Sequence, residues 1–192
     1  MPLADRRVPP TTYQLGLYIG LVSITAFFIA LVLAYAMVLP PKRTDLQFSL
    51  PYQVMLSTSF LVASSFILER ARYVLRRARV YDYKQAIVFT TALGFAFVLT
   101  QAWGWWELTR QGIVLQGNPR GSAFFVFSGL HGAHVAGGLL ALLFLFRRSR
   151  LLSAENESDL RKARAKTQIV SLYWHFMGVL WLVLLWILFL WA

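Results

Sequence analysis

The three histidines are the residues best suited to chemistry in this chain, and all three lie in long apolar runs. His131 and His134 fall in the segment GLHGAHVAGG, and His175 falls in SLYWHFMGVLW. A polar group buried in hydrocarbon is costly unless it finds a partner. Three roles satisfy that need: hydrogen bonding within packed helices, proton handling or headgroup contact, and ligation of a metal or haem.

The spacing of the histidines favours packing over ligation. Bis-histidine haem needs ligands at matching depth, but His131 and His134 lie near the middle of their apolar run and His175 lies near one end of the next. At about 100° per residue, His131 and His134 both point away from an unbroken ridge of small residues on the same helix. Such a ridge lets a neighbouring helix approach closely. It consists of Gly129, Ala133, Gly137 and Ala141.

Other polar residues inside the apolar runs are few. Glu69 is the one carboxylate at the end of such a run, and Arg72 follows it at the spacing of a helix-surface ion pair. An intramembrane proton site is the alternative interpretation. Interhelical hydrogen bonds are available from the side chains of Ser64, Ser65, Thr100 and Gln101.

The elements that must position these side chains are transmembrane helices. The 192 residues are 58% hydrophobic and only 14% charged, whereas about a quarter of a soluble domain is charged. Runs of roughly 20 apolar residues cross a bilayer as helices. We therefore predict an all-α polytopic membrane protein whose single bundle has five spans, with no separate soluble domain. The predicted spans are 13–39, 50–69, 85–106, 122–146 and 168–191.

The basic residues indicate orientation rather than nucleic-acid binding. Of the 19 lysines and arginines, 15 precede the first span or lie in the second and fourth connections. By the positive-inside rule the N-terminus is cytoplasmic and the C-terminus lies outside. The first run is too long for a signal-peptide core, so we expect it to remain as a span. The basic connections are expected to be solvated helix in contact with anionic lipid, and a specific docking site is the alternative.

Several kinds of chemistry have no residues to support them. The chain has no cysteine, which removes disulfides, thiolate metal sites and dicysteine copper centres. No nucleophile-base-acid set or phosphate-binding loop is present among its residues, so we do not expect the chain to be an enzyme by itself. The tryptophans at positions 103, 105, 106 and 191 are expected to form an interfacial belt.

Two motifs resemble one known family, subunit III of the haem-copper respiratory oxidases in its five-helix bacterial form. The fourth run, FFVFSGLHGAHVAGGLLAL, is similar to the family's fourth-helix signature. The fifth run, SLYWHFMGVLWLVLL, is similar to its tryptophan-histidine-phenylalanine signature. The resemblance covers nearly the whole chain, and LVASSFILERAR in the second run fits less specifically.

The resemblance implies an accessory subunit of a proton-translocating terminal oxidase that reduces oxygen to water, in the bacterial cytoplasmic membrane. Haem and copper would belong to partner subunits, with no cofactor in this chain. It would contact subunit I directly, accompany subunit II, support proton uptake and hold phospholipid. No nucleic acid is expected as a partner. Structural or lipid contacts are expected from His131, His134, Trp174 and His175, with Glu69 and Arg72 at the inner interface.

The chain departs from the family pattern at two positions. Ile24 follows Ser23 where the family usually has a carboxylate, and Gly178 stands where an acid often follows the phenylalanine. The role linked to the first acid, in proton handling and an oxygen or lipid pathway, is therefore not carried over. Two other functions stay open: the related small subunit of a nitric oxide reductase complex, and a membrane anchor that binds haem itself.

Overall fold

The computed structural model describes residues 10–38, 52–113 and 119–191, and these form five α-helices. Each helix is long and apolar enough to cross a membrane, and the described residues contain no strand, which confirms the predicted all-α, five-span fold. The helices are α1 Pro10–Val38, α2 Tyr52–Arg76, α3 Val80–Arg110, α4 Pro119–Arg150 and α5 Glu157–Trp191.

The helices continue past the predicted spans where the sequence is basic. α2 runs on to Arg76, and only residues 77–79 separate it from α3. Ala78 adopts a positive φ of 57°, and the backbone N–H of Arg79 donates to the carbonyl of Val74. The unpaired carbonyls that end a helix are thereby satisfied within one tight turn. The turn makes α2 and α3 an antiparallel hairpin.

Four helices enclose the core and the first lies against their outside. α2 packs on α3, α3 on α4, α4 on α5 and α5 on α2, while α1 contacts chiefly α5. Ring contacts also join α1 to α4, between Tyr35 and Phe127 and between Phe28 and His134. Most side chains of α1 are exposed in the single chain. The largest buried side chains therefore lie mainly on α2 to α5.

Both basic connections lie at the same end of the bundle, which we call the basic end. The Lys84 ammonium of α3 donates to the carbonyl of Arg150 at the end of α4, 3.3 Å away. The guanidinium of Arg164 in α5 donates to the carbonyl of Leu75 in α2, also at 3.3 Å. The α2–α3 turn and the α4–α5 connection are thus neighbours.

Two core glycines lie where side chains of a neighbouring helix approach closely. A Cβ atom added at Gly94 of α3 would lie 3.0 Å from Leu139 and 3.1 Å from the Trp174 ring. At Gly138 of α4 it would lie 3.1 Å from both Trp174 and Tyr173. The indole of Trp174 lies against both glycines, so a larger residue at either position would require its neighbours to shift. The large ring is completely buried as a result.

Candidate functional site

His131 is buried among the helices of the bundle. Its side chain is 1% exposed and stacks on Trp181 of α5, with ring centroids 5.1 Å apart and an interplanar angle of 26°. The edge of Phe97 from α3 approaches from another side, at 6.4 Å. Neither ring nitrogen has a hydrogen-bond partner among the described residues. The contacts of the His131 ring within the described residues are therefore aromatic.

His134 is turned toward a different part of the bundle. Its Nδ1 lies 2.7 Å from the carbonyl of Leu130 on its own helix, and its ring lies 5.7 Å from Phe28 of α1. Its backbone carbonyl accepts a hydrogen bond of 2.8 Å from the Tyr173 hydroxyl of α5. His134 thus lies where α1, α4 and α5 meet. Its ring contacts the Leu130 carbonyl, and its backbone carbonyl contacts the Tyr173 hydroxyl.

His175 belongs to a charged cluster at the basic end. Its Nε2 lies 3.5 Å from the carboxylate of Glu69, which also binds the Arg72 guanidinium at 2.6 Å. The Glu69–Arg72 pair lies on the surface of α2, as its spacing predicts. The histidine contact was not predicted, although both residues lie at the same end of their predicted spans. The cluster is partly exposed, with Glu69 the most accessible member.

The depths of the histidines are different. His131 is level with Trp181, which follows His175 by six residues, or about 9 Å along the helix axis. Among the residues that the structure describes, no three histidine, cysteine or acidic side chains come close enough to hold a metal ion. The arrangement does not bring the three imidazoles to one centre.

Two tryptophans of α5 are hydrogen-bonded to hydroxyls of α2. The indole N–H of Trp174 donates to Ser64 at 2.9 Å, and that of Trp181 donates to Thr58 at 3.0 Å. The two bonds are seven residues apart on α5, so they lie on the same helix face. Trp174 and Ser64 are both candidates from the sequence, but as separate residues, and Trp181 and Thr58 are not among the candidates. The spacing of seven residues between the two tryptophans is the sequence signal that could have identified Trp181.

The small-residue ridge of α4 is left partly uncovered. Ala133 and Gly137 are exposed, and Gly129 and Ala141 are half-buried. His131 faces Trp181 in the core, and His134 contacts Phe28 of α1. A Cβ atom added at Gly129 or Gly137 would meet its nearest neighbour at 3.6 or 3.7 Å, which is a looser fit than at Gly94 and Gly138.

A cavity of about 270 Å³ lies beside this ridge, between α3 and α4. Its α3 side includes Phe97, Gln101 and Trp105, and its α4 side is formed by Ser128, Gly129, His131, Gly132 and Ala133. The Oε1 atom of Gln101 is buried there without a partner among the described residues.

Trp105, expected only in the interfacial belt, also donates to Ser128 at 3.1 Å. Trp103 and Trp106 are exposed, and the side chain of Trp191 lies outside the described residues.

A second cavity, between α1 and α5, is almost wholly apolar. Its volume is about 340 Å³, and Thr25 is the one polar residue among those that line it. Phe28 and Val32 form the α1 side, and Phe176 and Val183 belong to the α5 side.

These features define the class of the molecule: a polytopic membrane protein whose histidines and tryptophans join helices together. Residues 10–192 match the family model described as cytochrome c oxidase subunit III. The chain therefore belongs to the cytochrome c oxidase subunit III family, and it is a subunit III of a terminal oxidase of the respiratory chain. That membership places it in an oxidase complex and in a membrane.

Individual relatives agree with the family match. The chain is 34% identical over 145 residues to "Probable cytochrome c oxidase subunit 3" of Mycobacterium leprae, covering 75% of this chain and 67% of that protein. It is 31% identical over 181 residues to the protein of the same name from Nocardia farcinica, covering 90% and 85%. "Cytochrome c oxidase subunit 3" of Thermostichus vulcanus is 28% identical over 186 residues, covering 94% and 88%.

Proposed function

We propose that this chain stabilises the catalytic subunit I of a haem-copper oxidase without carrying a redox centre of its own. The observation that supports this most is the use of its histidines. His131 stacks in the core, His134 binds backbone, and His175 contacts a carboxylate, at two different depths. In this proposal haem and copper belong to the partner subunits, including subunit II, and this chain supplies a rigid apolar surface.

Purification from membranes in mild detergent, with mass spectrometry and an optical spectrum, tests this role. We expect two large partners to accompany the tagged chain, with haem absorbance that follows those partners. The chain purified alone is expected to show no Soret band. A stoichiometric haem band that disappears in His131→Ala or His175→Ala would contradict the proposal and support a haem-binding anchor. A partner complex without copper in subunit II would favour the nitric oxide reductase alternative.

The orientation proposed for the bundle places the basic end in the cytoplasm of a bacterium, with the C-terminus outside. The gathering of both basic connections at one end of the fold supports this, because cytoplasmic connections carry excess lysine and arginine. Cysteines introduced singly at Arg77 and at Gly112 would test it. A membrane-impermeant thiol reagent added to intact cells should label only the cysteine at position 112.

Support of proton uptake is proposed for the Glu69–His175–Arg72 cluster. The cluster is partly exposed at the basic end, where a carboxylate and an imidazole lie 3.5 Å apart and can pass a proton between them. Loss of the whole subunit should leave oxygen reduction present but short-lived during turnover. Glu69→Gln should shorten that lifetime in the same direction, with Glu107→Gln at the other end of the bundle as the control. If loss of the subunit and Glu69→Gln both leave the turnover lifetime and the proton pumping unchanged, this role is contradicted.

Phospholipid is proposed as a bound component, held by the apolar cavity between α1 and α5. The cavity offers hydrocarbon contact along both helices, and the exposed side of α1 leaves it accessible from the membrane. Val183→Trp should fill it and reduce the phospholipid retained per complex in native mass spectrometry. Leu182→Trp, an exposed neighbour outside the lining, should leave lipid retention unchanged.

A further inference from the structure

We propose that the ridge of α4 and the adjoining α3–α4 cavity form a docking surface for one transmembrane helix of a partner subunit. That helix would donate a hydrogen bond from an uncharged side chain into the cavity. The inference rests on the proposed function, since it requires a membrane partner. It goes further by locating the contact and by specifying its chemistry.

The cavity contains polar groups that need a partner. Gln101 is 8% exposed and His131 is 1% exposed, and both line the cavity. The Gln101 carbonyl oxygen and both imidazole nitrogens are unpaired among the described residues. A buried acceptor without a donor is costly, and most such groups in native proteins are satisfied. The remaining walls are largely aromatic or aliphatic, so the polar demand is concentrated at these two side chains.

The surface beside the cavity permits the backbone of another helix to approach. Ala133 and Gly137 are exposed, and a Cβ atom added at Gly132 would meet nothing within 4 Å. The residues of this strip from Gly129 to Gly137 are glycine or alanine, and the exposed Leu140 follows about one turn later. Small residues at this spacing, together with a polar side chain that bonds across the interface, are the two features that join helices in membranes.

The depth of the cavity favours a helix over a lipid. Its α4 wall begins at Ser128, nine residues after the start of α4, which is about 13 Å along the axis. A charged headgroup at that depth would have to leave the interface, and an acyl chain has no hydrogen-bond donor. A serine, threonine, asparagine or tyrosine side chain on a partner helix supplies a donor and brings its own apolar support.

Copurification of the oxidase with a tagged chain measures the docking. Ala133→Leu raises a bulky side chain on the ridge without entering the folded core, and we expect it to lower the recovered catalytic subunit about tenfold. Gln101→Leu removes the acceptor alone, so a loss of about threefold is expected, in line with one interhelical hydrogen bond. The matched control is Ala92→Leu, an exposed alanine nine residues before Gln101 and on the opposite face of α3. It should recover the partner fully.

Crosslinking identifies the occupant directly, because the chain has no cysteine of its own. Ala133→Cys, labelled with a benzophenone maleimide and irradiated in membranes, should form an adduct with a partner subunit. Ala92→Cys and the cysteine-free parent should not. Far-UV circular dichroism of each variant confirms that the helices are intact.

The outcomes separate this inference from the proposed function. If the parent chain recovers no oxidase subunit, the proposed function fails. If the parent recovers the partner and Ala133→Leu recovers as much, the docking surface is refuted while the function stands. An adduct of Ala133→Cys with lipid alone also refutes it. Loss in Ala133→Leu, retention in Ala92→Leu and a protein adduct at position 133 together establish it.

Discussion

The hydrogen bond from Trp174 to Ser64 should stabilise the bundle measurably, because it joins α5 to α2 inside the core. The indole nitrogen and the serine oxygen are 2.9 Å apart, and both side chains are fully buried. Ser64→Ala leaves the indole N–H unpaired, at a cost of about 1–3 kcal/mol. Trp174→Phe removes the donor, so the double variant has no unpaired group. Its free energy of unfolding should therefore fall by less than the sum of the two single decreases.

The expected coupling follows from the environment of the bond. Double-mutant cycles in membrane proteins give about 0.6 kcal/mol per interhelical hydrogen bond, with a maximum of about 1.7 kcal/mol. Complete burial and a short distance place this bond in the upper part of that range. The second bond, from Trp181 to Thr58, should give a similar value. The two cycles should be additive, because seven residues separate the tryptophans by about 10 Å.

Reversible titration with SDS in mixed micelles, followed by far-UV circular dichroism, gives the free energy of unfolding of each variant. Ser59→Ala is the matched control, because the Ser59 hydroxyl is exposed and donates only to the Met55 carbonyl on its own helix. It should show no coupling with Trp174→Phe. A coupling between Trp174 and Ser64 that is also zero within about 0.3 kcal/mol would refute the reasoning.

Three further variants test other parts of the structure by the same titration. Gly138→Leu should cost about 1–3 kcal/mol because its side chain would overlap two aromatic rings, whereas Gly132→Ala, with free space around it, should cost nothing. Tyr173→Phe should cost about 0.6 kcal/mol through the lost bond to a backbone carbonyl of α4; no change would mean that the hydroxyl is satisfied elsewhere. Glu69→Gln should change the free energy of unfolding by less than about 1 kcal/mol, because the carboxylate is 54% exposed; a larger loss would show that the cluster is buried.

The five helices could be predicted because each depends on its own stretch of sequence. An apolar run of sufficient length becomes a helix in a bilayer regardless of its neighbours, since every backbone polar group must be satisfied internally. The ends were less predictable. α2 continued to Arg76 and α3 began at Val80 because helix-forming residues and one tight turn extend beyond the hydrocarbon-length runs.

The candidate site was predictable only in part. The Glu69–Arg72 pair follows from a spacing of three within one helix, so sequence was enough to find it. The contact of His175 with Glu69 joins residues more than 100 positions apart, and it depends on how α5 lies against α2. The small-residue ridge was visible as a repeat, but the repeat does not tell which neighbour covers it. The structure leaves two of its members exposed.

The sequence by itself determined the transmembrane character, the number of spans, the asymmetry of charge and the family signatures. Each of these is carried by residues close together along the chain, through helical periodicity or hydrophobic length. Only the tertiary structure decided that Trp174 bonds to Ser64 and that His131 is buried with no partner for its nitrogens among the described residues. It also decided that Gln101 and His131 line the same cavity. Those relations depend on the rotation and depth of each helix against the next, which are fixed by packing among distant residues.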